Sequence, residues 1–317
     1  MAIGHLSCKE RGPLCSIFFI DKGGNIAPLQ QDLSAITGQE RRNRMRIKKG
    51  LIILILLIIL AEFLPGRIVA DQSSSLWQKV ILRIDDGPHI KETPRLLEIL
   101  AALSIKNARF NLIGRHIEQN GRISPRISKV IKQIIEMGYA IGIHTYNHPS
   151  QKSLSQYNRW ELAQEIIKTQ QAINRALAQE GRGPYFALSF AIPGGLSSLP
   201  TNLRLVVDNF YNPSHPDSVY SILGIKHLTE IYPQITEAQI KELTEKWQGT
   251  KDDHWHIDTQ DSNTNRLTPN QMVILLEKEF SKRNRVIVLI HDRKGNWPED
   301  LEKIDLLWKK KSQKQKD

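Results

Sequence analysis

Lys79-Val80-Ile81-Leu82-Arg83-Ile84-Asp85-Asp86-Gly87-Pro88 is the stretch whose reading decides the architecture. Residues 79–84 are β-rich, and a pair of carboxylates followed by a Gly-Pro breaker ends the run, so a strand delivers two acids to the loop beyond it. Outward from this point short β-rich runs alternate with amphipathic ones. Strands are expected over 108–113, 139–143, 186–192, 254–258 and 285–290. Helices are expected over 93–103, 124–137, 153–180, 236–247 and 299–308, with Thr268-Pro269 capping one that runs to 283. Repeated β-then-α order implies an α/β fold with a parallel sheet and helices outside it, either a barrel or a doubly wound sheet. Neither an internal repeat nor a low-complexity linker divides this region.

The polar residues fall where such a fold builds active sites, at the C-terminal ends of strands. Asp85 and Asp86 follow the first strand, His144 and His148 the third, and His291-Asp292 the last. The spacing His144-x-x-x-His148 lets both imidazoles reach one ion from a single turn. With one carboxylate they make a three-ligand set that leaves a coordination position for water, as in catalytic zinc sites. Each piece has a bland reading, since Asp-Asp-Gly-Pro is an ordinary turn sequence and His-x3-His arises by chance. Their joint placement is what carries the inference.

These motifs resemble those of the polysaccharide deacetylase family, which includes chitin, chitooligosaccharide and peptidoglycan N-deacetylases. The family's Thr-Phe-Asp-Asp-Gly-Pro stands here as Arg83-Ile84-Asp85-Asp86-Gly87-Pro88, and its Ala-Thr-Phe-Phe-x-x-Gly as Ala108-Arg109-Phe110-Asn111-Leu112-Ile113-Gly114. Its Gly-Asn-His-Thr-x-x-His-Pro is Gly142-Ile143-His144-Thr145-Tyr146-Asn147-His148-Pro149, and its Leu-x-His-Asp is Leu289-Ile290-His291-Asp292. The likeness spans residues 80–295 in order. It implies a distorted (β/α) barrel, usually of seven strands, and a divalent metal, most often Zn2+. The residues matching the family's metal ligands are Asp86, His144 and His148. By the same likeness Asp85 is the general base toward metal-bound water, His291 the general acid, and Pro193, Gly194 and Leu289 substrate-binding. The implied reaction releases acetate and a free amino sugar from an N-acetylated polysaccharide. Two alternatives stand beside it: a carbohydrate-binding relative that retains the metal site without turnover, and a hydrolase of the same fold acting on another amide.

The departures from the pattern are specific. The family's Phe-Arg-x-Pro-x-Gly is Phe190-Ala191-Ile192-Pro193-Gly194-Gly195, so the Arg that usually holds the catalytic Asp is Ala191. Arg83 is the candidate to compensate, because residues two apart on a strand share a face. In Trp255-His256-Ile257-Asp258-Thr259-Gln260-Asp261-Ser262 the usual aromatic is Ser262, and Asp258, at the strand end, is expected to orient His291 in preference to Asp261. His254 and His256 read either as a second metal pair or as one face of a strand. Tyr211, His215 and Tyr220 read as a sugar-groove wall or as packing. No β-run follows 299–308, so a barrel incomplete at its C-terminal end is expected.

Charge bounds the partners. The chain of 317 residues carries a net +11, but residues 1–50 hold +5 of it and 308–317 hold +4, leaving a nearly neutral body without a nucleic-acid-binding face. Residues 51–64 are an apolar run behind Arg41, Arg42, Arg44, Arg46, Lys48 and Lys49, short for a membrane span and matched to a signal-peptide core. The expected organisation is an extension over 1–44, with Met45 the true initiator, then a signal peptide or uncleaved membrane anchor over 45–70. A catalytic domain over 71–312 and a basic tail over 313–317 follow. The domain is then exported, periplasmic, extracellular or anchored outside the cytoplasmic membrane. Cys8 and Cys15, the only cysteines, precede it, so it has neither a disulfide nor a Cys-ligated metal.

Overall fold

Alternate residues of the β-runs have opposite duties. In the computed structural model of the chain Val80, Leu82, Ile84, Phe110, Leu112, Ile141, Val286, Val288 and Ile290 point into one apolar core. The residues between them, among them Arg83, Asp85, Asn111 and His291, are on the other face, as the period of two requires. The structure describes residues 18–20, 26–28, 74–148, 153–251, 254–262, 265–292 and 296–314. The chain divides into two compact units, Met1–Ala70 and Asp71–Asp317. In the first, an antiparallel pair joins Phe18–Ile20 to Ile26–Pro28. Cys8, Cys15, Met45 and the apolar run at 51–64 lie outside the described residues. Among those described, no helix is long and apolar enough to cross a membrane.

The sheet of the second unit has five strands, β1 Val80–Gly87, β2 Ala108–Leu112, β3 Ala140–Ile143, β4 Ile257–Asp258 and β5 Val286–His291. All are parallel, in the spatial order β3-β2-β1-β5-β4. The fold is α/β, and helices Glu92–Ala102, Pro125–Glu136, Pro269–Phe280 and Trp297–Lys314 bury their apolar residues in the core outside the sheet. The long helix expected over 153–180 is two elements, a 3-10 turn Leu154–Gln156 and the helix Arg159–Gln179. Asn158 separates them by accepting from the Glu161 amide, while the Glu161 side chain answers the Asn158 amide in a capping box.

Expectation and structure part at two edges. The strand expected over 186–192 makes one parallel bridge, Phe190 with Ile143, and on its other side is bonded to a loop. The Gln248 amide donates to the Leu188 carbonyl, and the Phe190 amide to the Gly249 carbonyl. The last strand, by contrast, is paired along its whole length: β5 runs beside β1 from Val80 with Val286 to Asp85 with His291. Among the described residues the gap in strand pairing therefore falls between Phe190 and Ile257, not at the C-terminal end.

The stretch between them builds a second core. Leu203, Val206, Phe210, Tyr211, Tyr232 and Trp247 pack with Ile143, Leu162 and Phe190. Tyr211 is buried with its ring 5.1 Å from that of Trp247, so it is packing and not a groove wall. Gly142 of β3 is fixed by close approach: a Cβ there would lie 2.2 Å from Asn111 Oδ1 and 2.9 Å from Ser189 Oγ. Gly142→Ala is expected to lower stability by about 1–3 kcal/mol through overpacking against Asn111, measurable by denaturant unfolding.

Candidate active site

Asp85 is the last inward-facing residue of β1 and is 2% exposed. Burial alone disfavours a carboxylate, so its partners decide its state. Arg83 donates from Nε to both carboxylate oxygens at 3.0 Å and from Nη2 to Oδ2 at 2.7 Å. Asn111 of β2 donates its amide to Oδ1 at 2.6 Å. Burial pushes the carboxyl up, but the charges of Arg83 and His144 and the hydrogen bonds from Arg83 and Asn111 bring its pKa down to about 2. The contact between Arg83 and Asp85 expected from their two-residue spacing is therefore present, as a buried ion pair.

Asp86 begins the turn out of β1 with φ 72°, which swings its side chain away from that of Asp85. Its Oδ1 is 3.5 Å from His144 Nε2 and 3.3 Å from His148 Nε2. Ligands of a tetrahedral ion at ~2.0–2.1 Å stand roughly 3.3 Å apart, so this spacing fits one metal. Two further observations agree. Asp86 Oδ1 is buried without a hydrogen-bond partner. His144 gives its Nδ1 hydrogen to the Ala191 carbonyl at 2.8 Å, leaving the Nε2 lone pair for the ion. Asp86, His144 and His148 are the one such group found among the described residues. His254 and His256 form no second site: His256 Nδ1 accepts from the Ile287 amide at 2.8 Å, which ties that ring to the sheet edge.

The turn carrying both histidines is held from beneath. Thr145 and His148 have φ of 62° and 46°, left-handed values that non-glycine residues rarely adopt. Glu165, buried on the helix Arg159–Gln179, accepts from the Tyr146 and Asn147 amides at 2.8 and 2.7 Å and from the Asn147 side chain at 2.7 Å. The Thr145 hydroxyl oxygen accepts from the His148 amide at 3.0 Å. Sequence reading passed over Glu165, because a lone acid in a long helix gives no local signal of reaching another loop.

His291 ends β5 opposite Asp85 in the register. Its orienting acid is Asp261, not Asp258. Asp258 is exposed and, among the described residues, accepts from the nearby Gln260 amide at 2.8 Å. Gln260, at φ 54°, turns the chain back so that Asp261 meets His291 twice, accepting its Nδ1 hydrogen at 2.6 Å and its amide at 2.8 Å. Burial pulls the imidazole pKa down, but the hydrogen bond and charge of Asp261 lift it above the ordinary histidine value. Trp297 donates its indole N–H at 2.6 Å to Asp261 Oδ2, the oxygen that also accepts the His291 amide, and the Arg266 guanidinium stacks on that indole at 4.8 Å. An aromatic thus meets the acid although position 262 is serine. Of the three residues read as substrate-binding, Leu289 is buried, Gly194 is exposed at φ 76°, and Pro193 is buried with its carbonyl accepting from Ser198 at 2.7 Å.

Residues 76–207 match the family model of the polysaccharide deacetylases. A peptidoglycan-N-acetylglucosamine deacetylase of Bacillus cereus is 36% identical over 97 residues, covering 31% of this chain and 31% of that protein. A chitooligosaccharide deacetylase of Azorhizobium caulinodans is 33% identical over 131 residues, covering 40% of this chain and 55% of that one. The chain thus spans about a third and about half of the lengths of these two relatives. Among solved structures a Streptococcus mutans CE4 esterase is 21% identical, covers 75% of this chain and 85% of its own, and has a TM-score of 0.48.

Glu165→Gln is expected to weaken divalent-metal affinity by about tenfold, the lower end of the range for outer partners of a metal site, as read by titration calorimetry with Zn2+. The carboxylates of Asp85 and Asp86 lift the His144 pKa against the effect of burial, so a proton competes with the ion there. Affinity should accordingly fall as pH drops through the histidine range; affinity that is flat from pH 8 to 5 would exclude His144 as a ligand.

Proposed function

We propose that this domain hydrolyses N-acetyl groups from amino sugars of a polysaccharide of the peptidoglycan or chitin kind, using a divalent metal, Zn2+ by the chemistry of its donors, held by Asp86, His144 and His148. The observation that carries the reading is the pair of opposed groups beside the three-ligand cluster: an ionised Asp85 on one strand and an Asp261-held His291 on the next. Neither a binding module nor a structural domain needs a buried base and a half-buried acid opposed beside one such cluster. A bound divalent ion supplies Lewis acidity, polarising the amide carbonyl and acidifying water.

The chain's own residues do the rest. Asp85, ionised at any pH above about 2, accepts a proton from the attacking water as its oxygen bonds to the acyl carbon. His291, protonated through its contact with Asp261, gives its proton to the sugar nitrogen as the carbon–nitrogen bond breaks. Acetate and the free amine leave, and one proton has passed in and one out. A cleft of about 710 Å³ runs beside the site, lined by Pro88, His89, Ile90, His116, Asn120 and Arg122. His116 ties it to the metal ligands by donating its Nδ1 hydrogen to the Asp86 carbonyl at 3.0 Å. Such a cleft suits a chain substrate longer than one sugar. Export of the domain and contact with the envelope polymer belong to the same proposal.

Acetate release from N-acetylated chitooligosaccharide and from peptidoglycan tests it. Asp85→Asn and His291→Ala are each expected to cost about a hundredfold or more in kcat. Metal binding without acetate release from any N-acetylated polymer would favour a carbohydrate-binding role. The pH profile carries a sign. A histidine whose pKa is raised keeps its proton to higher pH, so acid catalysis is lost only as pH climbs through that raised value. Asp261→Asn removes the cause and should move the alkaline limb of the kcat profile to lower pH.

A further inference from the structure

Arg83 is 1% exposed, and one aspect of its guanidinium is engaged with Asp85. Its flat face is covered by Trp255, whose ring centre is 4.9 Å from Cζ. The indole is itself wedged in place. Gly195 presses against it, and a Cβ at that glycine would lie 2.4 Å from Trp255 Cη2. Three segments therefore meet in one stack: β1, which carries the guanidinium, the run that enters β4, which lays Trp255 on it, and the turn at 193–195, which presses on the indole.

An arginine two residues from its carboxylate on the same strand has a long, rotatable side chain to hold in one geometry. A ring stacked on the guanidinium fixes its plane and keeps water from that face, and both effects strengthen its fork of hydrogen bonds to a carboxylate. We propose that Arg83 and Trp255 form a clamp that positions Asp85, in which Trp255 acts through Arg83 and not on the substrate. The tight approach at Gly195 is the space that this clamp requires. Neither residue touches the reacting atoms, so both are positioning residues. The activity arm of the test rests on the deacetylase reading.

The test is a double-mutant cycle of Arg83→Gln and Trp255→Leu, with Trp255→Phe and Arg83→Lys as conservative controls. Arg83→Gln is expected to lower kcat by about a hundredfold and Trp255→Leu by about tenfold, with KM and Zn2+ affinity within about twofold of the unaltered protein. Trp255→Phe keeps a π face and should recover most of the loss, whereas Arg83→Lys, lacking the planar fork, should not. The double variant should be no slower than Arg83→Gln alone. Losses that multiply in the double variant overturn the clamp. So does a Trp255→Leu protein with raised KM and unchanged kcat, which would make the ring a sugar platform. If the unaltered protein releases no acetate, the deacetylase reading fails and thermal unfolding decides the clamp separately. A double variant melting with Arg83→Gln supports it, and one melting lower by the sum of the two single losses overturns it. Should Arg83→Gln fail to fold, the same cycle is run with Arg83→Lys.

Discussion

The ion pair between Arg83 and Asp85 is the constraint on which the rest of the site depends. A carboxylate that is 2% exposed has lost nearly all its water, and an unpaired one would take up a proton. Removing one partner of such a pair typically costs about 3–5 kcal/mol, because the other charge stays buried. The pair is therefore weak as a source of net stability and strong as a determinant of protonation state. It also accounts for neighbouring choices. Asn111 is a fully buried polar residue because Asp85 has an oxygen to satisfy, and Gly142 is glycine because Asn111 needs the space.

Around this pair the protein uses the same device twice: a carboxylate on one segment fixes a group on another. Glu165 holds the turn that presents His144 and His148, through backbone amides that carry no chemistry themselves. Asp261 holds His291 through both its ring and its amide, and is held by the Trp297 indole. In each case the anchored group lies at or near the end of a strand, and the anchor comes from a segment that packs across it. Loop geometry that would otherwise fluctuate is thereby tied to helices and sheet, where positional error is smallest.

Much of this was legible in the sequence, for identifiable reasons. Strand and helix order followed from hydrophobic period, and Asp86, His144 and His148 from ligand type and strand-end position. Arg83 was legible because side-chain direction on a strand alternates strictly. What was missed required knowledge of where the chain turns. Asp258 seemed the better orienting acid because it ends the strand, but a single left-handed residue, Gln260, brings Asp261 back instead. Trp297 lies 36 residues from the acid it meets, and Glu165 is 18 and 19 residues from the amides it caps. Contacts of that kind are set by the packing of helices, which local pattern does not encode.

The stretch between Pro200 and Gln248 shows how a part remote from the chemistry still bears on it. Its helices bury Phe210, Tyr211 and Trp247 against Phe190 and Ile143. Its end supplies the Gln248 amide and the Gly249 carbonyl that pair with Leu188 and Phe190, standing where a further strand would run. Held between that loop and β3, the segment places the Ala191 carbonyl 2.8 Å from His144 Nδ1. That bond selects the tautomer whose Nε2 faces Asp86. Position 191, an alanine, thus serves through its backbone carbonyl. The orientation of His144 depends on where this segment sits, and so on the core that the intervening helices build.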